Sequence, residues 1–338
     1  MTPTTATSAS ATASPTCIDI APGKNGYLPP EACGSLLFYE PSFGAAILFA
    51  VLFGLTTLAH IIQAFVYNKR YAWVVIMGAT WELLAFVFRV MQTRHQNQDI
   101  WDTMYELFFL LAPIWINAFI YMTLGRMIYY FLPHQRLAKI SARRYGMLFV
   151  FLDILAFLVQ VAGASMSTND SMGQKFVMLG LHLYMGGIGL QELFILCFLG
   201  LTIKLQRKVS VLRYMEGGED VKTPVRQGLF HPSRLFYAVY FALAMISVRI
   251  IFRLCQYARG YDEANPVLTT ESYEYVLDAA PMFLALLALN MFHPGQIIRG
   301  ERSDFPRLTR AEKRELKQQR KDMKRDKKRM KREFDLEN

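Results

Sequence analysis

Six carboxylic acids interrupt stretches that are otherwise apolar: Glu82, Glu106, Asp153, Glu192, Glu274 and Asp278. Arg89, Arg126, Arg249 and Arg253 lie in the same stretches, with Asn117, Gln160 and Gln191. A charge near the centre of a bilayer costs at least ~2.5–3.5 kcal/mol, so such groups are paired or functional. Their spacing is helical. Glu82 and Arg89 are seven apart, as are Asp153 and Gln160. Arg249 and Arg253 are four apart, as are Glu274 and Asp278. Glu106, Pro113, Asn117 and Tyr121 form one stripe. Residues three, four or seven apart share a helix face, so five helices each carry one polar face, expected to point into a bundle. Two chemistries suit such an interior. One is a set of structural ion pairs, a role that arginine fills through its planar fork. The other is a polar cavity for the headgroup of an amphipathic molecule, in which the surplus acids attract an amine or carry protons.

Other chemistries find no support. Zinc needs three or four ligands, and the membrane stretches hold only His60 and His182, at opposite ends, with His293 at a boundary. Both membrane histidines are expected to be hydrogen-bonded or interfacial, and no metal site or cofactor is expected. Gly23-Lys24 is followed by Asn25, not Ser or Thr, so there is no phosphate-cradling loop. There is no nucleophile elbow and no His-Glu-x-x-His, and the chain is not read as an enzyme.

The elements that must position these groups follow from composition. Of 338 residues, 53% are hydrophobic and 19% charged, where a soluble chain is nearer a quarter charged. Spanning a bilayer takes about 20 mostly apolar residues. Seven segments qualify: Phe43–Val66, Tyr71–Met91, Thr103–Phe131, Tyr145–Met166, Phe176–Ile203, Leu235–Ala258 and Ser272–Phe292. Without water to satisfy open backbone groups they must be helices. The fold class is all-α, a seven-transmembrane-helix bundle over residues 43–292. Pro113 and Pro281 are expected to bend their helices, as hinges or as fixed kinks. Gly186, Gly187 and Gly189 permit close helix contact. Residues Lys204–Arg234 are expected to be a flexible loop around Gly217-Gly218 and Pro224.

Of the 37 Lys and Arg, 29 fall in the first, third and fifth loops and the tail from His293, and only four in the N-terminal tail and the even loops. Basic residues accumulate on the cytoplasmic side, so the N-terminus is expected outside and the C-terminus inside. Residues 1–42 read as an extracellular disordered tail, and 293–338 as a basic cytoplasmic tail. The segment Arg310–Glu333 is expected to be a solvated helix whose positive excess attracts anionic inner-leaflet lipids, about 1 kcal/mol per cation near the surface. A nucleic-acid partner is not expected. Asn169 opens the one Asn-x-Ser/Thr sequon, in an outer loop. Cys17 and Cys33 lie in the outer tail, where oxidation is permitted, and are candidates for a disulfide or two free thiols. Arg126, near an inner end, reads as a snorkelling anchor.

Several motifs in order carry a resemblance. They are Tyr39-Glu40-Pro41; Glu82 with Arg89; Ala112-Pro113 and Tyr121-Met122-x-x-Gly125-Arg126; and Asp153-x-x-x-Phe157-x-x-Gln160-x-x-Gly163. Gly189-Leu190-Gln191, Arg249-x-x-x-Arg253, Glu271-x-x-x-Tyr275-x-x-Asp278 and His293-Pro294-Gly295 follow. The sequence resembles the fungal lipid-translocating exporter family, the RTA-like proteins, from about Tyr39 to Gly295. It departs from the family pattern at Ala85-Phe86, where Gly-Tyr is usual, and at Gln256, where Glu is frequent. The resemblance implies a multi-pass protein, most naturally of the plasma membrane, that exports or flips amphipathic lipids or lipid-like toxic compounds and so gives resistance. Sphingoid long-chain bases come first, with a porphyrin-like compound as another substrate. The competing class is a seven-helix receptor or stress sensor without transport.

Overall fold

A computed structural model describes residues 18–298, apart from 30, 34, 36, 168–172, 217–232 and 259–264, together with residue 305 and scattered positions from 314 to 326. Among the described residues seven helices are long and apolar enough to cross a membrane. They are α1 (Phe43–Tyr67), α2 (Trp73–Gln92), α3 (Asp99–Phe131), α4 (Ala142–Ser167), α5 (Gln174–Glu216), α6 (Ser233–Tyr257) and α7 (Glu271–Ile297). A two-residue hairpin, β1 (Arg136–Leu137) on β2 (Ile140–Ser141), joins α3 to α4. Each helix packs on its chain neighbours and α1 also meets α7, so the spans close into a ring in chain order. Outward residues such as Leu55, Leu58 and Phe151 are exposed apolar side chains, the surface a bilayer covers.

Six of the spans begin and end within a few residues of the hydropathy limits. The fifth does not. α5 continues as helix to Glu216, so the expected loop from Lys204 is helical for its first turns. Leu205 and Val209, four apart, are buried while Lys204, Arg207 and Lys208 face out. That amphipathic stripe prolongs the helix beyond its apolar stretch.

Local chemistry sets the ends. Ser42 caps α1 by accepting from the Ala45 N–H at 3.4 Å, and Asn68 ends it in the left-handed region. In α7 a π-helical turn, Tyr275–Ala279, precedes Pro281. Proline leaves the carbonyl four residues back, at Leu277, without its donor, and the wider turn accommodates this while carrying Asp278. Small residues set the α4–α5 contact. A Cβ on Gly187 would meet Gln160 Cγ at 2.7 Å, but on Gly186 or Gly189 it would meet nothing within 4 Å. Of the three expected contact glycines only Gly187 packs, joined by Gly163 and Gly180.

Residues 18–42 lie at the end of the bundle where α1 begins. Ile18 bridges to Ala32, and Gln96 N–H donates to Asn25 O at 3.1 Å. Cys33 is disulfide-bonded; Cys197 and Cys255 are free. Cys17 and Asn169 lie outside the described residues. Residues 300–338 form a separate unit. Its described positions between Arg314 and Asp326 are helical and mostly exposed, with Gln318 donating to Asp322 at 3.3 Å.

Candidate functional site

The interior charges gather into two networks in the N-terminal half of the bundle, the half nearest the start of α1. Arg89 of α2 centres the first. Its Nη1 donates to Gln92 Oε1 at 2.6 Å, and its Nη2 to the Tyr39 hydroxyl at 2.7 Å and Glu271 Oε1 at 3.1 Å. Glu274 Oε2 lies 3.5 Å away. Tyr39 and Tyr105 donate to the two oxygens of Glu274 at 2.8 and 2.5 Å. Burial lifts the Tyr39 phenol well above its ordinary range, with Arg89 opposing and Glu274 adding to the effect. Tyr39 precedes the first helix, so this is a strap pinned into the bundle. Removing its hydroxyl (Tyr39→Phe) takes away two hydrogen bonds to charged groups, each worth about 1.5–3 kcal/mol. The expected outcome is a lower thermal midpoint of the purified protein, with no change in its oligomeric profile.

The second network joins α2, α6 and α7. Asp278 holds both sixth-helix arginines: Arg249 Nε at 2.9 Å on Oδ1 and Arg253 Nε at 2.5 Å on Oδ2. Glu82 Oε1 lies 3.5 Å from Arg249 Nη1. Arg249 Nη2 donates to the Phe109 carbonyl at 2.8 Å. That carbonyl is the one Pro113 leaves free, four residues later in α3, so the proline serves as an acceptor site for an arginine. Glu82 and Arg89 share a helix but not a network. Seven residues are about 10 Å of helix, so each finds its partner on another helix.

Beside this network, between α3, α4, α5 and α6, lies a cavity of about 40 Å³. Its polar wall is Gln160, Gln191, Tyr184, Arg249 and Arg253, and its apolar wall includes Pro113, Ile188 and Ile250. Gln160 Nε2 donates to Gln191 Oε1 at 3.2 Å. A water needs roughly 10–15 Å³ by this measure, so the cavity has room for about three or four waters.

Glu106 differs from the other five acids. It is exposed, the only one of the six acids that is, yet its electrostatic neighbours are Arg253, Glu274 and Tyr184. It therefore lines a cleft, where α3 and α5 touch only sparsely, one turn above Leu110 of the cavity wall. Among the described residues it has no ion pair or hydrogen bond.

The remaining expected residues fall elsewhere. Asp153 of α4 accepts from Asn117 and Tyr121 of α3, each at 3.0 Å. Glu192 is half-buried near Tyr121 and Ser247. Arg126 stacks over the Tyr71 ring at 3.5 Å and donates to Met122 O. His60 is fully buried, with its ring turned toward the Leu286 backbone. It lies near His293 and Asn290 at the opposite end of the bundle. Among the described residues no group of three or more His, Cys, Asp or Glu could hold a metal. Tyr39, Tyr105, Gln92 and Glu271 were not marked as polar-core residues by charge alone. The signal for Tyr39 and Glu271 was their place in the ordered motifs.

Comparison with known proteins agrees with this architecture. Residues 75–301 match the family model described as RTA1 like protein. The chain is 53% identical over 91% of its length to a protein of Emericella nidulans named "Probable lipid transporter atnI", covering 80% of it. Two proteins of Saccharomyces cerevisiae are more distant. Protein RTA1 is 28% identical over 76% of this chain and 84% of its own length. The sphingoid long-chain base transporter RSB1 is 22% identical over 79% of this chain and 75% of its own. No solved structure matches. With the family model spanning six of the seven helices and a relative 53% identical over 91% of the chain, the chain belongs to the RTA1-like family of multi-pass membrane proteins.

Proposed function

We propose that the protein moves amphipathic lipids that carry an amine headgroup, sphingoid long-chain bases first among them, from the inner to the outer leaflet of the plasma membrane. The observation that carries this reading is the cleft at Glu106. A carboxylate that is exposed and makes no ion pair among the described residues, with Arg253 only in electrostatic range, in the first turns of a membrane-spanning helix, can take a cationic headgroup as its partner. Gln160, Gln191 and Tyr184 below it supply donors and acceptors for hydroxyls. The apolar flank of α3, α5 and α6 leaves the acyl chain in hydrocarbon. The names of the relatives, a lipid transporter and a sphingoid base transporter, support the same substrate class. The charge bias, 29 basic residues against four, supports an external N-terminus, which opens the cleft toward the outer leaflet. Export of this kind lowers the cellular load of toxic amphiphiles and would confer resistance. The basic C-terminal tail is read as a contact for anionic inner-leaflet lipids.

The test uses purified protein in liposomes and a labelled sphingoid base. Transfer should exceed that of protein-free vesicles. In Glu106→Gln it should fall at least about tenfold, which corresponds to about 1.4 kcal/mol. The N-acylated lipid, which has no amine charge, should be indifferent to the substitution. Binding without transfer across several lipid classes would instead favour a seven-helix receptor.

A further inference from the structure

A second acidic site lies below the cavity, and lipid binding as proposed does not use it. Asp153 is 1% exposed. Both hydrogen bonds it accepts, from Asn117 Nδ2 and the Tyr121 hydroxyl, fall on Oδ2. Oδ1 is buried with no partner among the described residues. The groups that act on it are Asn117 and Tyr121 of α3, and no cation is among them. The Tyr121 hydroxyl is in turn acted on by Glu192 of α5, whose own Oε2 is buried and unpartnered. From α6 only the uncharged Ser247 faces Glu192. The contrast with the other interior acids is sharp: Glu82, Glu274 and Asp278 each have an arginine within 3.5 Å.

Two carboxyl groups at membrane depth with no base between them have few ways to lose their charge. Unpaired burial of an ionised carboxylate costs several kcal/mol. A calcium or magnesium ion needs about six oxygen ligands. This site offers too few, since Asn117 turns its donor nitrogen toward it. A proton needs only one oxygen, and Oδ1 is open.

We propose that Asp153, linked to Glu192 only through the Tyr121 hydroxyl that both carboxyl groups act on, is a proton-binding site. The carboxylate takes a proton from water to become the neutral acid, and returns it to water when it ionises. Phe149 and Phe198, both buried and packed on Tyr121 at 5.3 and 4.6 Å between ring centres, close the site on one side. The proposed exchange route is the cavity side; Asp153 does not line the cavity, but the cavity wall includes Gln160, two turns along α4, and Gln191, adjacent to Glu192. A change of charge at Asp153 acts on the two helices that carry this wall. Proton binding stands alone; its coupling to lipid movement rests on the lipid-carrier reading.

The experiment is infrared titration of the full chain in nanodiscs between about pH 5 and about pH 9, spanning the range open to a perturbed carboxyl. A protonated-carboxyl C=O band should titrate in the unmodified protein and be absent in Asp153→Asn. Tyr121→Phe removes a hydrogen bond that favours the ionised carboxylate, so the band should titrate at higher pH. If the band is the same with and without Asp153, the proposal is overturned. Should Asp153→Asn fail to fold, an unmoved midpoint in Tyr121→Phe overturns it equally. A second arm imposes a pH gradient on liposomes, acid on the cavity side. Lipid transfer should change several-fold in the unmodified protein and not in Asp153→Asn. A titrating band without any lipid transfer removes the carrier reading and leaves the proton site. Transfer without the band removes the proton site alone.

Discussion

Replacing Asp278 with Ala is expected to cost about 3–5 kcal/mol of stability, the usual consequence of stripping one partner from a buried ion pair. Asp278 is fully buried and holds both Arg249 and Arg253. After its removal Arg249 still has the Phe109 carbonyl and a distant Glu82. Arg253 loses its one ion pair among the described residues and keeps only Glu106 and the Tyr184 and Tyr257 phenols in electrostatic range. Asp278→Asn should be nearly as harmful, since the amide offers one acceptor oxygen and turns a donor toward a guanidinium. Glu82→Gln should cost much less, because its contact with Arg249 is a 3.5 Å approach. Thermal denaturation of the purified protein, read beside the yield of monodisperse material, measures both. The cycle Asp278→Asn with Arg253→Gln should recover part of the loss, because the stranded charge is removed with its partner. Equal midpoints for Asp278→Ala and Glu82→Gln would show that the network is not organised around Asp278.

This network shows where the sequence is informative. Hydropathy is a local property, so the spans could be read directly: α1 begins at Phe43 in both readings, and α3 ends at Phe131 in both. The end of α5 could not be placed by hydropathy. Lys204, Arg207 and Lys208 dilute the apolar content, while the helix goes on because Leu205 and Val209 still have a surface to cover. The type of each interior polar residue was also legible, since charge in a greasy stretch needs a reason. Its partner was not. Pairing depends on how each helix is rotated and how far it slides against its neighbours. Spacing within one helix says nothing of either, which is why Glu82 and Arg89 share a face but not an ion pair. Glu106 lies on the same stripe as Asn117, yet one opens to a cleft and the other is 1% exposed. The stripe runs from a gap between helices into a closed contact.

The two proline sites join local and tertiary structure. Pro113 frees the Phe109 carbonyl, and Arg249 takes it. Pro281 follows the π-helical turn that presents Asp278 to the same arginine. A backbone interruption on α3 and another on α7 thus converge on one guanidinium of α6. Both are fixed points of the charge network in this conformation. A hinge at either would have to break an arginine contact first.

Gly163→Leu is expected to abolish the folded protein, and even Gly163→Ala should lower its thermal midpoint clearly. A Cβ at Gly163 would sit 2.3 Å from the Tyr184 backbone nitrogen and 2.7 Å from the Gly180 carbonyl oxygen. These are backbone atoms, which cannot rotate aside, so the two helices must part. Gly180 faces the same contact from the other side, its Cβ position 2.8 Å from the Gly163 carbonyl. With no hydrophobic effect between helices in lipid, close backbone approach is what holds such a pair. Separating α4 from α5 also pulls Gln160 from Gln191, so the cavity wall should open with it. Gly186→Ala supplies the control: it adds the same atom to α5, the partner helix of this contact, at a position where nothing lies within 4 Å, and it should leave yield, midpoint and lipid transfer unchanged. If Gly163→Ala matched Gly186→Ala in all three measurements, the close α4–α5 contact would not be what sets the geometry of the site.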